Sequence, residues 1–137
     1  MADFPAIRAL IRQVRINPIG LDWRRFIVAV LDTGEVVGCG QVKPIPGGLS
    51  ELASLAVKPS QRKQGIAAAI LTQLTASSPR PLYLICRSAL GEFYGKYGFE
   101  NLEGEEMPRY YRRLQRLVGI LIGFTGRDES LQVMKLG

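Results

Sequence analysis

The sequence predicts a single α/β domain over residues 1–137, built on a mixed sheet. Two β-rich runs, Arg25–Leu31 and Glu35–Val42, are joined by a short Gly-containing connection typical of an antiparallel hairpin. The apolar run Leu49–Val57, an Ala-rich helical segment and the apolar run Leu82–Cys86 then follow one another. That order predicts a strand–helix–strand crossover, which makes its two strands parallel.

Composition excludes several classes of site. The chain contains no histidine, which excludes Ser-His-Asp hydrolysis, Cys-His chemistry and zinc sites; we expect no metal. Cys39 and Cys86 lie in apolar runs without a CxxC pair, which favours buried free thiols. The formal charge of +6 favours anionic partners only in general terms. Since no run approaches the ~20 apolar residues of a membrane span, we expect a cytoplasmic protein without membrane contact.

Two helices are predicted in the first half of the chain. Asp3 is a candidate N-cap for a helix reaching Val14, and Asn17-Pro18 ends it. After the third strand, which Lys58-Pro59 ends, a helix is predicted over about Gly65–Thr75. Its apolar face carries Ile66, Ile70, Leu71 and Leu74.

The second half predicts a short helix over about Leu90–Tyr97, a strand over Phe99–Leu102 and a final strand over Leu131–Leu136. Between the last two strands, a helix is predicted over Pro108–Ile122, followed by a loop from Gly123 to Asp128. One face of this helix is basic, with Arg109, Arg112, Arg113 and Arg116. This face is either solvated or the site of an acidic partner or nucleic acid.

A basic loop separates the third strand from the Ala-rich helix. Its segment Arg62-Lys-Gln-Gly65-Ile-Ala67 fits the pattern Arg/Gln-x-x-Gly-x-Gly/Ala. Glycine lets the backbone approach an anion closely, and the N–H groups of a helix start favour phosphate. The segment has neither P-loop spacing nor a dinucleotide fingerprint. A solvated basic loop at a tight helix start is the alternative.

A second motif, Phe93-Tyr94-Gly-Lys-Tyr-Gly98-Phe99, follows the next strand. Together with Val57-x-Pro-x-x-Arg-x-x-Gly-Ile-Ala67, it closely resembles the two signature motifs of the GNAT superfamily of acyl-CoA-dependent N-acetyltransferases. The resemblance covers nearly the whole chain. The segments Gly38–Lys43, Glu51–Val57 and Glu106–Pro108 are also similar to GNAT proteins of cyanobacteria and plastids.

The resemblance implies a GNAT fold, a mostly antiparallel mixed sheet with helices on both faces, and acetyl-CoA as cosubstrate. It places the pantetheine arm along the backbone of Leu55, Ala56 and Val57, although an ordinary core strand would look the same. The pyrophosphate would lie on the loop formed by Arg62, Lys63, Gln64, Gly65, Ile66 and Ala67.

The resemblance also assigns catalytic roles. Tyr94 matches the family tyrosine that donates a proton to the departing CoA thiolate, and a phenol with a pKa of about 10 is protonated at neutral pH. An aromatic core residue is the alternative. Glu51 is the candidate general base, with a surface or strand-end carboxylate as the alternative, and the N–H near Leu55 would stabilise the oxyanion. Cys86 is interpreted as a core residue and not as a nucleophile.

Three features depart from the family pattern. The first family strand is expected to be missing, because Asp3–Val14 already has the pattern of the first helix. Arg87 stands where the family often has Asn, and the segment Pro108–Gly126 is long.

The predicted activity is transfer of acetyl to a primary amine, either a small molecule or a protein lysine or N-terminus. A non-catalytic CoA-binding regulatory module and a nucleic-acid binder are the alternatives. A homodimer is possible.

Overall fold

A computed structural model describes residues 4–14, 21–125 and 131–137. Six strands form one sheet: β1 Phe26–Val30, β2 Val36–Ile45, β3 Leu49–Val57, β4 Leu82–Arg87, β5 Glu100–Leu102 and β6 Leu131–Leu136. Four α-helices accompany it: α1 Phe4–Gln13, α2 Ile66–Ser77, α3 Gly91–Gly95 and α4 Arg109–Thr125. Short 3-10 turns occupy Trp23–Arg25, Pro59–Gln61, Ser88–Leu90 and Gly104–Glu106.

The strands pair in the order β1-β2-β3-β4-β6-β5, which confirms the predicted mixed sheet. β1 with β2, β4 with β6, and β5 with β6 are antiparallel. The pair β3–β4 is parallel, with Ser50 opposite Leu82 and Glu51 opposite Tyr83, as the crossover through α2 requires. β1 lies at one edge of the sheet, and α1 is the first element of the described residues.

The chain divides into two compact units, so the prediction of one domain stays a prediction. The first unit comprises residues 1–43 and 52–79. Its core forms because Ile7, Leu10 and Ile11 share one face of α1 and pack in a cluster with Cys39 and Ala56.

The second unit comprises residues 44–51 and 80–137. Its core contains Tyr83 from β4, Val133 from β6 and Tyr111 from α4, the last of these fully buried. The other buried members of this cluster are Ile45, Leu102 and Met107.

Two glycines in β2 set how closely α2 packs in the first unit. A Cβ on Gly38 would lie 2.9 Å from Cγ2 of Ile66, and a Cβ on Gly40 would lie 2.9 Å from Cγ2 of Ile70. The two glycines face the apolar side of the helix, because side chains two residues apart share one face of a strand. This close contact fixes the position of the start of α2.

Several predicted boundaries are corrected. The predicted loop from Gly123 is wrong at its start, because α4 continues to Thr125; a single glycine costs a helix only about 1 kcal/mol. The predicted helix over Leu90–Tyr97 is shorter, Gly91–Gly95, and a 3-10 turn precedes it. The Asp3 cap and the Asn17-Pro18 stop lie outside the described residues. Among the described helices, none has the length and hydropathy needed to cross a membrane.

Candidate functional site

The basic loop of the first unit enters α2 through two residues in left-handed backbone conformations. Lys63 has φ 65° and Gly65 has φ 80°. Gly65 is the N-cap of α2, and its carbonyl accepts the first helical hydrogen bond from the N–H of Ala69, at 3.0 Å. The N–H groups of the first turn have no acceptor within the helix, and Gly65 has no side chain to cap them.

Space is open where an anion would approach this helix start. A Cβ built on Gly65 would meet no atom within 4 Å, and residues 62–65 are all exposed. The dipole of α2 adds positive potential at the same point. A non-glycine residue such as Lys63 pays about 1–2 kcal/mol for a left-handed conformation, and such strain occurs preferentially at ligand sites.

Two cations of the loop region have structural partners. The Nε of Arg62 donates to the carbonyl of Val57 at 3.3 Å, which ties the loop back to the end of β3. Lys58 forms an ion pair with Glu35. The loop is therefore held to the strand that would carry the pantetheine, and Lys63 is exposed beside the open helix start.

β3 is distorted just before the three residues predicted to bind pantetheine. Ser54 has φ 58°, a left-handed conformation within a strand. Its Oγ accepts a hydrogen bond from Nε2 of the buried Gln41 at 2.9 Å, and its carbonyl accepts one from Sγ of Cys39 at 3.5 Å. Leu55 is half-buried, whereas Ala56 and Val57 are buried.

Tyr94 is a buried residue of α3 in the second unit. Its side chain is 8% exposed, and its ring lies 5.2 Å from that of Phe93 and 5.9 Å from that of Phe99. Burial, with a smaller contribution from Cys86, raises the pKa of the Tyr94 hydroxyl to about 12. The phenol is therefore protonated at every physiological pH, as a proton donor must be.

Glu51 is not a surface carboxylate, but it does lie near the start of a strand, as the third residue of β3. Its side chain lies in β3 and is 4% exposed. The hydroxyl of Tyr111, in α4, donates a hydrogen bond to its Oε2 at 2.5 Å. A buried carboxylate needs such donors, because an unpaired charge inside a protein is costly.

Tyr110 and Tyr111 of α4 interact with this carboxylate, and Tyr83 lies opposite Glu51 in the parallel pairing of β3 with β4. The rings of Tyr111 and Tyr83 are 5.9 Å apart, and those of Tyr111 and Tyr110 are 5.0 Å apart. Burial and the charge of Glu51 raise the pKa values of Tyr110 and Tyr111 above their usual range. Sequence could show only that two tyrosines follow Arg109; the contact with Glu51 spans 60 residues.

The two cysteines have the buried, free thiols that the sequence predicts. Cys39 and Cys86 are free and buried, and burial raises their thiol pKa values to about 12 and about 11. A thiol of such high pKa is a poor nucleophile at neutral pH. Arg87 is exposed at the end of β4. The described residues contain no cluster of Cys, Asp and Glu suited to holding a metal ion.

Solved structures of other proteins share the fold of this chain. The chain is similar to Neisseria gonorrhoeae N-acetylglutamate synthase, solved with coenzyme A and N-acetyl-glutamate, at TM-score 0.72 and 22% identity; the match covers 100% of this chain and 34% of that one. It is similar to Mycobacterium tuberculosis Rv2747, solved with CoA, at TM-score 0.69 and 22% identity, covering 96% and 93%. Escherichia coli ElaA gives TM-score 0.67 at 15% identity, covering 100% and 91%.

The chain thus spans about a third of the length of the N-acetylglutamate synthase that it matches. No curated protein matches the sequence significantly. Residues 22–101 match the acetyltransferase (GNAT) domain family, and this segment includes the basic loop, Glu51 and Tyr94. The chain belongs to the GNAT acetyltransferase family.

Proposed function

We propose that the protein is an N-acetyltransferase that transfers acetyl from acetyl-CoA directly to a primary amine. The conformation of the basic loop is the observation that carries the proposal. The left-handed conformations of Lys63 and Gly65 would let successive backbone N–H groups converge on an anion at the start of α2. Family membership supports the pyrophosphate of CoA as that anion, and two of the solved structures named above contain CoA.

The rest of the cofactor would lie along the residues of β3 that precede the loop. The pantetheine arm would pair with the backbone of Leu55, Ala56 and Val57, which the strand distortion at Ser54 precedes. Arg62 holds the loop to Val57 and so keeps the phosphate site and the pantetheine strand in register. The N–H near Leu55 would donate to the oxyanion as the thioester carbonyl becomes tetrahedral.

Transfer requires two proton movements. The neutral amine attacks the thioester carbon, and the ammonium that forms loses a proton to Glu51, directly or through water. The carbon–sulfur bond then breaks, the sulfur takes the electron pair, and Tyr94 supplies the proton to the thiolate. Solvent exchange restores both side chains. No covalent acyl-enzyme is needed, which agrees with the raised thiol pKa of Cys86.

The high pKa of Tyr94 limits what its proton can do early in the reaction. Transfer of a proton from a phenol of pKa about 12 to a thiolate whose thiol has a pKa of about 8.5 is unfavourable in free energy. We therefore expect Tyr94 to stabilise the developing thiolate first by a hydrogen bond and to release its proton late.

The test is acetyl transfer to a panel of small amines and lysine-containing peptides, followed by thiol release and by the mass of the acetylated product. Tyr94→Phe should lower kcat about 100-fold or more while leaving the dissociation constant for CoA nearly unchanged. CoA binding without turnover on any amine would instead identify a non-catalytic CoA-binding module. Absence of CoA binding would refute the proposal.

A further inference from the structure

The arginine face of α4 has a definite shape. Arg109, Arg112, Arg113 and Arg116 follow one another at helical spacing, so they share one side of the helix. Together they line an open cavity of about 330 Å³. All four side chains are exposed.

The charge of this face is not neutralised within the described part of the chain. None of the four guanidinium groups makes an ion pair or a hydrogen bond to a described residue. Like charges three and four residues apart on a helix destabilise it by about 0.2–0.5 kcal/mol per pair. An anionic ligand would relieve this repulsion.

An apolar groove adjoins the arginine face. Arg109 and Arg113 border this groove of about 360 Å³ as well. Its other walls include Pro46, Leu49, Tyr110, Leu114 and Leu117. Leu117 is 61% exposed, whereas Tyr111 of the same helix is fully buried in the core of the second unit.

We propose that this surface, the four arginines with the adjoining groove, docks an acidic polypeptide segment that also carries an apolar side chain. Carboxylates would pair with the guanidinium groups, and the apolar side chain would cover Leu117 and fill the groove. A nucleic acid would match the charge alone. Among the groove's lining residues only Tyr110 is aromatic, so the groove lacks the series of stacked aromatic platforms that single strands use.

A second copy of the chain matches the surface less well. The exposed turn Gly104–Glu106 of a second copy carries two adjacent glutamates, whose carboxylates could pair with the arginines. The apolar residues on either side of that turn, Leu102 and Met107, are only 7% and 5% exposed. That turn therefore offers no exposed apolar side chain for the groove, whereas a segment of another polypeptide with both features would fit both halves of the surface.

The proposal is tested by fluorescence anisotropy with a labelled peptide that is rich in glutamate and contains leucine. Arg112→Gln and Arg116→Gln should each weaken binding about two- to fivefold, and Leu117→Ser about threefold or more. Arg12→Gln and Leu90→Ser are matched controls, because they change exposed residues outside the surface and should leave the affinity unchanged. Thermal unfolding establishes that each variant is folded.

Comparison probes distinguish the other occupants. A peptide with glutamine in place of glutamate should bind more weakly, and so should one with serine in place of leucine. The proposal is overturned if the altered peptides bind as tightly as the original one, or if Arg112→Gln and Arg12→Gln change the affinity equally. Tighter binding of labelled single-stranded DNA of equal charge also overturns it, as does self-association that both Arg112→Gln and Glu105→Gln abolish. Binding requires neither CoA nor turnover, so its failure leaves the proposed acetyltransferase activity intact.

Discussion

Replacing Gly65 by alanine tests the cofactor site while changing a single methyl group. The added Cβ would meet no protein atom within 4 Å, so any steric effect falls on a ligand and not on the fold. The substitution does force an L residue into φ 80°. Gly34 offers a matched control, because its φ is 89° and its added Cβ would also meet nothing within 4 Å.

The expected cost in stability is the same at both positions. A left-handed conformation costs an L residue about 1–2 kcal/mol, and the loss of glycine's freedom in the unfolded chain offsets about 0.4–1 kcal/mol of this. The net loss of about 1 kcal/mol lowers Tm by roughly 2–6 °C for a chain of this size. Only Gly65→Ala also places a methyl group where the pyrophosphate is proposed to approach the N–H groups. We expect it to weaken CoA binding about tenfold or more, or about 1.4 kcal/mol.

Calorimetric titration with CoA and thermal unfolding measure the two quantities separately. The expected pattern is similar Tm values for the two variants and weakened CoA binding in Gly65→Ala alone. If Gly65→Ala binds CoA with wild-type affinity, the pyrophosphate does not bind at this loop. Equal loss of affinity in Gly34→Ala would show that strain, and not contact with the phosphate, weakens binding.

Three further predictions follow from buried contacts and raised pKa values. Gly40→Ala places a Cβ 2.9 Å from a side chain of α2 and should lower the free energy of unfolding by about 1–3 kcal/mol. Gly95→Ala is the control, because its Cβ would lie in open space and should cause no such loss. Equal stability of the two variants in urea unfolding would contradict the packing argument. Tyr111→Phe removes the hydroxyl that donates to buried Glu51 and should cost about 1–3 kcal/mol in urea unfolding, whereas an unchanged midpoint would mean that the bond contributes nothing. The pKa of Tyr94 is raised to about 12 in the folded state, whereas the usual pKa of a tyrosine in an unfolded chain is about 10. Between these two pH values the folded protein keeps a proton that the unfolded chain has lost. The contribution of Tyr94 to the free energy of unfolding is therefore fully present below pH 10 and falls between pH 10 and 12. Tyr94→Phe should therefore reduce the alkaline loss of stability by up to about 2–3 kcal/mol, and an identical alkaline transition in both proteins would show that the hydroxyl is not buried.

The parts of the fold that depend on neighbours in sequence were predictable. β3 and β6 begin and end at the predicted residues, since alternating apolar side chains bounded by Gly, Pro and Lys define a strand locally. The loop after β3 could also be identified, because its arginine, its glycine and the helix start lie within six residues of one another. The end of α4 was misplaced because propensity at Gly123 is a weak signal that a growing helix overrides.

Residues distant in sequence were beyond this reasoning. No pattern in the chain joins Glu51 to Tyr111, and only the packing of α4 near β3 in the second unit buries the carboxylate and gives it a donor. The same holds for Gly38 and Gly40, whose importance lies in the helix that packs against them.

Sequence therefore identified the family, the order of the elements and the loop proposed to bind phosphate, because each of these depends on short runs of adjacent residues. Tertiary structure decided the surroundings of Glu51, the raised pKa of Tyr94 and the joining of an arginine face with an apolar groove. Burial and electrostatics depend on which segments, distant in sequence, pack against one another. That packing is determined by the folded chain as a whole.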